Sequence, residues 1–265
     1  MSLLLSSDFV LTQPADQANL PIIGYHNVAN GGNLSATSAA SGYPASNMGN
    51  ASTFIRWKST DDGDNDLVFT NSNEEEVDYF AVAGHNFGTT GVTFQLNGPS
   101  GNLVPPSVAS DNNPLIFRFP RDAYDTLTLE CVDNPSGLPL EASVIYVGRI
   151  LQLQRKIYVG HTPINLGRQS NVVVGRSTSG NFLGRLVLSE KKITSIPISN
   201  ITPAWYRAYF EPFVKSAIEY PFFFAWRPGS YPNETGYCWV KNDIVPSNQQ
   251  SNGMMQVTMD LEGAI

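Results

Sequence analysis

TPAWYRAYFEPFVKSAIEY, residues 202–220, followed at once by PFFFAW, residues 221–226, is the stretch on which the reading of this chain turns. Thr202 is a good N-cap, and Pro203 falls at the first helical position, where a missing N–H costs nothing. Trp205, Tyr206, Tyr209, Phe210, Phe213, Val214, Ala217 and Ile218 recur as pairs at the spacing that lines one face of an α-helix. The pattern predicts a helix over about residues 202–219, bent or restarted at Pro212, because a proline inside a helix removes a hydrogen bond and costs roughly 3 kcal/mol. The apolar run that follows reads as a strand buried on both faces and as the natural partner of the helix.

Working outward, residues 236–241 form another strand candidate. In residues 257–262 strict alternation of Val257, Met259 and Leu261 with Thr258, Asp260 and Glu262 marks a half-solvated strand. Residues 171–175 and 183–188 are strands joined by Ser177-Thr178-Ser179-Gly180-Asn181, a run with hairpin chemistry. Upstream lie seven short runs, at residues 54–58, 66–70, 77–83, 91–96, 115–119, 127–131 and 142–147, with turn residues between them and alternation in most. That spacing suits a two-sheet sandwich or jelly roll. Residues 31–50, rich in Ser, Ala, Asn and Gly, carry no periodicity and read as a long surface loop. The expectation is a mainly β protein: an N-terminal jelly-roll β-sandwich with an arm in residues 1–150, then a small β-sandwich domain with one helix in residues 151–265.

Composition sets the bounds. The chain has 265 residues, 42% of them hydrophobic and 11% aromatic, which excludes disorder and leaves ample chain for a core. No apolar run approaches the roughly 20 residues that span a bilayer as a helix, so membrane insertion is not expected. The start, MSLLLSSDFV, lacks a basic region and a long apolar core, so export by a secretory signal is not expected either. Cys131 and Cys238 sit in strand-like contexts and read as two buried reduced thiols of a protein made in a cytoplasm. Residues 1–150 hold 5 Lys and Arg against 16 Asp and Glu, whereas residues 151–265 hold 11 against 7. This asymmetry supports a boundary near residue 150 and argues against nucleic acid as the partner.

Tyr43-Pro44-Ala45-Ser46-Asn47-Met48, then Arg56-Trp57, then Asp78-Tyr79-Phe80-Ala81-Val82-Ala83-Gly84-His85-Asn86-Phe87, resembles the galactose-binding-like, discoidin-type jelly roll over about residues 40–150. The second half, with Gly175-Arg176-Ser177, residues 202–213 and 221–228, and a closing Leu261-Glu262-Gly263, resembles minor tail proteins of long-tailed phages, which have a tail-tube-like β fold with one helix. The resemblance implies a structural protein of the virion at the tail tip or baseplate, made in the bacterial cytoplasm. Its partners would be copies of itself and other tail proteins, in a ring or trimer around the tail axis. On that reading Arg168, Arg176, Arg185 and Arg207 supply interface or lumen-facing charge. The alternative is a lectin-like module that reads host polysaccharide through Tyr43, Trp57, His85 and Asn86, aromatic faces stacking on sugar rings while polar groups fix orientation.

Other candidate chemistry is thin. Asp62, Asp64 and Asp66 have the first spacings of an EF-hand loop, but Leu67 replaces the glycine and Asn73 the final glutamate, leaving only a weak calcium candidate. Glu74, Glu75 and Glu76 read as a soluble loop. His26 and His161 lack neighbours at metal-ligand spacing. There is no G-x-S-x-G elbow and no Gly-rich phosphate loop before a helix, so neither catalysis nor a cofactor is expected.

Overall fold

Seven consecutive residues, Val77–Ala83, are all buried, which one alternating face cannot account for. The computed structural model, which describes residues 4–6, 18–157, 160–249, 251 and 253–264, shows the cause. This strand has a core on each side. Phe80 and Val82 point into the first half, among Leu115, Phe117, Ile145 and Val147. Tyr79, Ala81 and Ala83 point the other way, with Ile116, Val144 and Tyr146, into a cluster completed by Ile22, Phe223, Ala225 and Tyr237.

The first half is a jelly roll of two facing sheets. One orders Leu4–Ser6, Leu115–Asp122, Val77–Ala83 and Val144–Gly148, with Leu4–Ser6 parallel to its neighbour. The other orders Leu34–Ala36, Asn65–Thr70, Thr126–Val132, Thr93–Gly98 and Gly101–Val108. Alternating residues of the second sheet, Leu67 and Phe69, Leu127 and Leu129, Phe94 and Leu96, fill the space between the sheets. Of residues 54–58 only Trp57–Lys58 is strand; it pairs with Glu141–Ala142, and Phe54 stands 84% exposed ahead of it. The segment expected to be loop contains Leu34–Ala36 and a short 3₁₀ helix, Ala45–Gly49, whose Met48 enters the core.

The second half is built on one large sheet, in the order Leu151–Gln152, Ile22–Gly24, Phe222–Ala225, Thr235–Val240, Met255–Gly263, Phe182–Ile201 and Arg168–Arg176, with Ser247–Asn248 pairing beside Met255–Gly263. Ile22–Gly24 lies in sequence between two jelly-roll strands, Leu4–Ser6 and Leu34–Ala36, yet sits inside this sheet, between Leu151–Gln152 and Phe222–Ala225. Phe222, Phe224 and Cys238 face a helix, while Phe223, Ala225 and Tyr237 face the jelly roll. The sandwich of the second half is thus completed by a sheet of the first, and residues 222–225 are buried on both sides because they form a middle layer. Both thiols are buried and free, and burial pushes Cys238 up to about 12.

Buried tyrosines make polar contacts where the layers meet. Tyr79 donates to the carbonyl of His26 at 2.7 Å, Tyr146 to that of Pro221 at 3.1 Å and Tyr237 to that of Ala51 at 2.8 Å, so each ring is buried with its hydroxyl satisfied. Gly24 is required here, since a Cβ on it would lie 2.8 Å from the Tyr79 ring.

The helix begins as the sequence predicts: the Thr202 hydroxyl accepts from the Trp205 N–H, with Pro203 just inside. Pro203–Trp205 leads into a wider π turn, Tyr206–Phe210, and then Glu211–Ala217. Pro212 lacks an N–H, and the ladder adjusts one residue earlier, where the Glu211 N–H reaches the Tyr206 carbonyl. The buried stripe is narrower than the sequence pattern: Tyr206, Phe210, Phe213 and Ala217 face the sheet, while Tyr209 and Ile218 are exposed because only one row, at i, i+4, i+7 and i+11, meets a flat sheet.

Candidate interaction surfaces

Arg168–Arg176 and the first part of Phe182–Ile201 form a β-hairpin that runs on past the body of the large sheet. From Lys192 onward the second strand also pairs with Met255–Gly263, but residues 182–191 pair only with Arg168–Arg176. The turn closes through Ser177 N–H to the Asn181 carbonyl and Gly180 N–H to the Ser177 carbonyl, both 2.9 Å, with Gly180 at φ +84°, a conformation that favours glycine. Val172 pairs with Val187 and Val173 with Leu186, adjacent pairs that point to opposite faces. Both faces of the ribbon are therefore apolar. Val173, Val174, Phe182, Leu183, Leu186, Val187 and Leu188 are 44% to 69% exposed, so no core covers either face.

Three of the four predicted arginines lie on this hairpin. Arg168 approaches Glu190 at 3.7 Å, Arg185 stands opposite Val174, and Arg176 stands opposite Phe182. Arg176 and Arg185 enter no ion pair among the described residues. Arg207 is elsewhere, on the helix, donating to the Pro203 carbonyl at 2.9 Å. The root of the hairpin is anchored: Lys191 pairs with Glu262 at 2.5 Å, and Lys192, whose pKa burial lowers, donates to Asn113 of the jelly roll at 2.6 Å.

The jelly roll presents the opposite charge. Asp61, Asp62 and Asp64 project from the exposed loop before Asn65–Thr70 and enter no ion pair among the described residues. Asp64 accepts from the Asp133 N–H at 3.2 Å, which places Asp133 beside the loop, and Leu138 a few residues on is 48% exposed. Asp66 has its pKa raised, first by burial and then by Glu130 and Asp64, as carboxylates crowded without a cation do. Among the described residues no group of three or more His, Cys, Asp or Glu gathers at metal-ligand distances.

The residues named for sugar binding occupy different situations. Trp57 is fully buried and donates to the Ser38 carbonyl at 2.7 Å. Asn86 is spent on the backbone, donating to the Pro139 carbonyl and accepting from the Glu141 N–H. His85 is 4% exposed and stacks on Phe87 at 4.6 Å. Its Nε2–H donates to the Asn113 carbonyl at 2.8 Å, and its Nδ1 accepts from the Phe87 N–H at 3.2 Å. Tyr43 alone of the four keeps an exposed ring. In this chain the Tyr-Pro-x-Ser-Asn segment is a structural clasp: the Tyr43 carbonyl accepts from the Lys58 N–H and Asn47 donates to the Arg56 carbonyl.

The His85 geometry fixes the neutral imidazole, because a proton on Nδ1 would face the Phe87 N–H; burial pushes its pKa down to about 4. The unfolded chain then binds more protons at this histidine than the folded one between about pH 6.5 and 4, so the His85 contribution to stability falls as pH drops through that window and changes no further below it. The expected loss is about 3 kcal/mol. His26 and His161 shift in the same direction and add to the trend. Thermal melts at stepped pH check this: His85→Gln melts less steeply with acid than the wild type, and an unchanged slope rules His85 out as the source.

No family model matches this chain, and no curated protein matches it. Solved structures do. Chitosan-binding module 1 of a chitosanase/glucanase from Paenibacillus sp. IK-5 is 14% identical, with a TM-score of 0.38, over 46% of this chain and 98% of the module. The family 32 carbohydrate-binding module of Clostridium perfringens NanJ, in complex with galactose, is 14% identical, with a TM-score of 0.35, over 44% and 92%. A pectin-binding carbohydrate-binding module is 15% identical, with a TM-score of 0.35, over 46% and 90%. In each case a little under half of this chain is matched.

Proposed function

We propose that this protein is a non-catalytic assembly subunit that docks onto other protein subunits through the projecting hairpin of its second half. The observation that carries this reading is the hairpin itself: seven large apolar side chains stand open to solvent on both faces of a two-stranded ribbon. Such a ribbon is marginal on its own, and a contiguous apolar surface of this kind marks a protein interface. A multi-subunit particle is the natural setting, and the resemblance of the second half to minor tail proteins suggests a phage tail tip, with the virion as its location. Radical footprinting tests this. Phe182, Leu183 and Leu186 label heavily in the isolated chain and are shielded when the protein sits in its native complex; equal labelling in both states overturns the reading.

Carbohydrate binding by the jelly roll is the second reading. One observation favours it: Tyr43 and Phe54 hold exposed rings on segments that flank Trp57–Lys58, and exposed rings suit stacking on sugars. Glycan-array binding that disappears in Tyr43→Ala and Phe54→Ala supports it; binding untouched by both removes this surface.

A further inference from the structure

The hairpin is basic as well as apolar. Residues 168–192 contain five Lys and Arg and one Glu. Three of those cations are used at the root, by Glu190, Glu262 and Asn113. The two left over, Arg176 and Arg185, stand toward the turn among Phe182, Leu183 and Leu186. Two identical hairpins laid against each other would set these arginines against each other or, when antiparallel, against the cations at the partner's root, and like charges across strands are destabilising. The charge pattern therefore disfavours a symmetric hairpin-to-hairpin contact. What it fits is an acidic surface with some apolar area, and the same chain carries one. The Asp61, Asp62 and Asp64 loop lies beside Asp133, with Leu138 exposed nearby, on a half whose 5 cations face 16 anions.

We infer that the hairpin of one copy docks on the acidic loop end of the jelly roll of a second copy, with Arg176 and Arg185 set against the Asp61–Asp64 carboxylates. This rests on the assembly reading above and names its partner. The two surfaces are different, so the contact is head to tail and repeats: it closes into a ring when the rotation between copies allows and extends into a filament otherwise. Charge governs the approach and register of the two surfaces, and the apolar ribbon supplies the area removed from water.

Sedimentation velocity of the full chain at rising concentration tests this with two variants. Leu186→Asp spoils the hairpin, and Asp62→Lys with Asp64→Lys spoils the loop; all three positions are exposed, and unchanged melting curves confirm that each variant folds. The wild type is expected to associate, less so at high salt, and each variant to need about tenfold or more concentration to do so. An equal mixture of the two variants has one good hairpin and one good loop per pair, so it forms dimers and nothing larger. A wild type that stays monomeric throughout overturns the inference. A loop variant that assembles like the wild type, while the hairpin variant does not, overturns the acidic loop as the partner surface but leaves the hairpin as a docking element. A hairpin variant that still assembles overturns both.

Discussion

Phe223→Ala lowers the stability of the entire molecule by about 3–5 kcal/mol, and both halves then unfold together at a lower temperature. Phe223 is fully buried on the face of the large sheet that meets the jelly roll, 5.5 Å from the ring of Tyr146 and 4.9 Å from that of Tyr237. Alanine leaves a cavity walled by two stiff sheets. Tyr146 and Tyr237 are held by hydroxyl hydrogen bonds to Pro221 and Ala51, so they are poorly placed to collapse into it. The halves share this cluster and a strand, Ile22–Gly24, that the first half of the chain contributes to the sheet of the second. Calorimetry alongside far-ultraviolet circular dichroism reads the outcome. A variant in which the second half melts early while the jelly roll keeps its wild-type transition contradicts a shared core.

Asp78→Ala is expected to cost about as much, roughly 3–5 kcal/mol, for an electrostatic reason. Asp78 lies on the doubly buried strand, where the register with Leu115–Asp122 shifts between Val77 and Tyr79. One carboxylate oxygen accepts from Arg121 at 2.7 Å and 3.1 Å, and the other from the Ile150 N–H at 2.7 Å. Arg118 is itself buried, its Nε makes no hydrogen bond, and desolvation lowers its pKa while Asp78 raises it. Removing the carboxylate strands a buried guanidinium and leaves the Ile150 amide unsatisfied in one step. Arg118→Met placed on top of Asp78→Ala should return part of the loss, because the charge that lacked a counterion is gone. Chemical denaturation of the two single variants and the double variant gives the coupling directly. Simple additivity of the two single losses would mean that the pair does not interact.

What the sequence disclosed depended on whether each signal was local. Thr202 and Pro203 mark a helix start by their own chemistry, and the start is where they place it. Residues 77–83 read as a strand because β-branched and aromatic residues run between turn signals, but their double burial is invisible without the second sheet. Gly101–Val108 escaped because Pro105 and Pro106 argue against a strand; as a sheet edge it tolerates them, and its outer residues are mostly exposed. Ile22–Gly24 is three residues long, and its partners lie more than a hundred residues away. The apolar runs at Val172, Val173 and Val174 and at Leu186, Val187 and Leu188 look the same whether a core or another subunit covers them, so the strands were legible and their exposure was not. Arg168, Arg176 and Arg185 lie on one element because a hairpin joins them, Arg168 at its root and the other two toward its turn, whereas Arg207 sits apart on the helix. His85 and Asn86 follow the jelly-roll motif in sequence, but their partners, Asn113, Pro139 and Glu141, arrive from distant segments and turn them inward.

The placement of Ile22–Gly24 also orders events on the ribosome. This segment leaves the exit tunnel long before Leu151–Gln152 and Phe222–Ala225 are translated, so its slot in the large sheet does not exist while the jelly-roll strands that flank it in sequence condense. Pairings so distant along the chain form slowly. The nascent protein must hold an early piece in reserve until its last third has been made, and until then the strand edges of the growing sheet stand open to whatever chaperone or neighbouring polypeptide reaches them first.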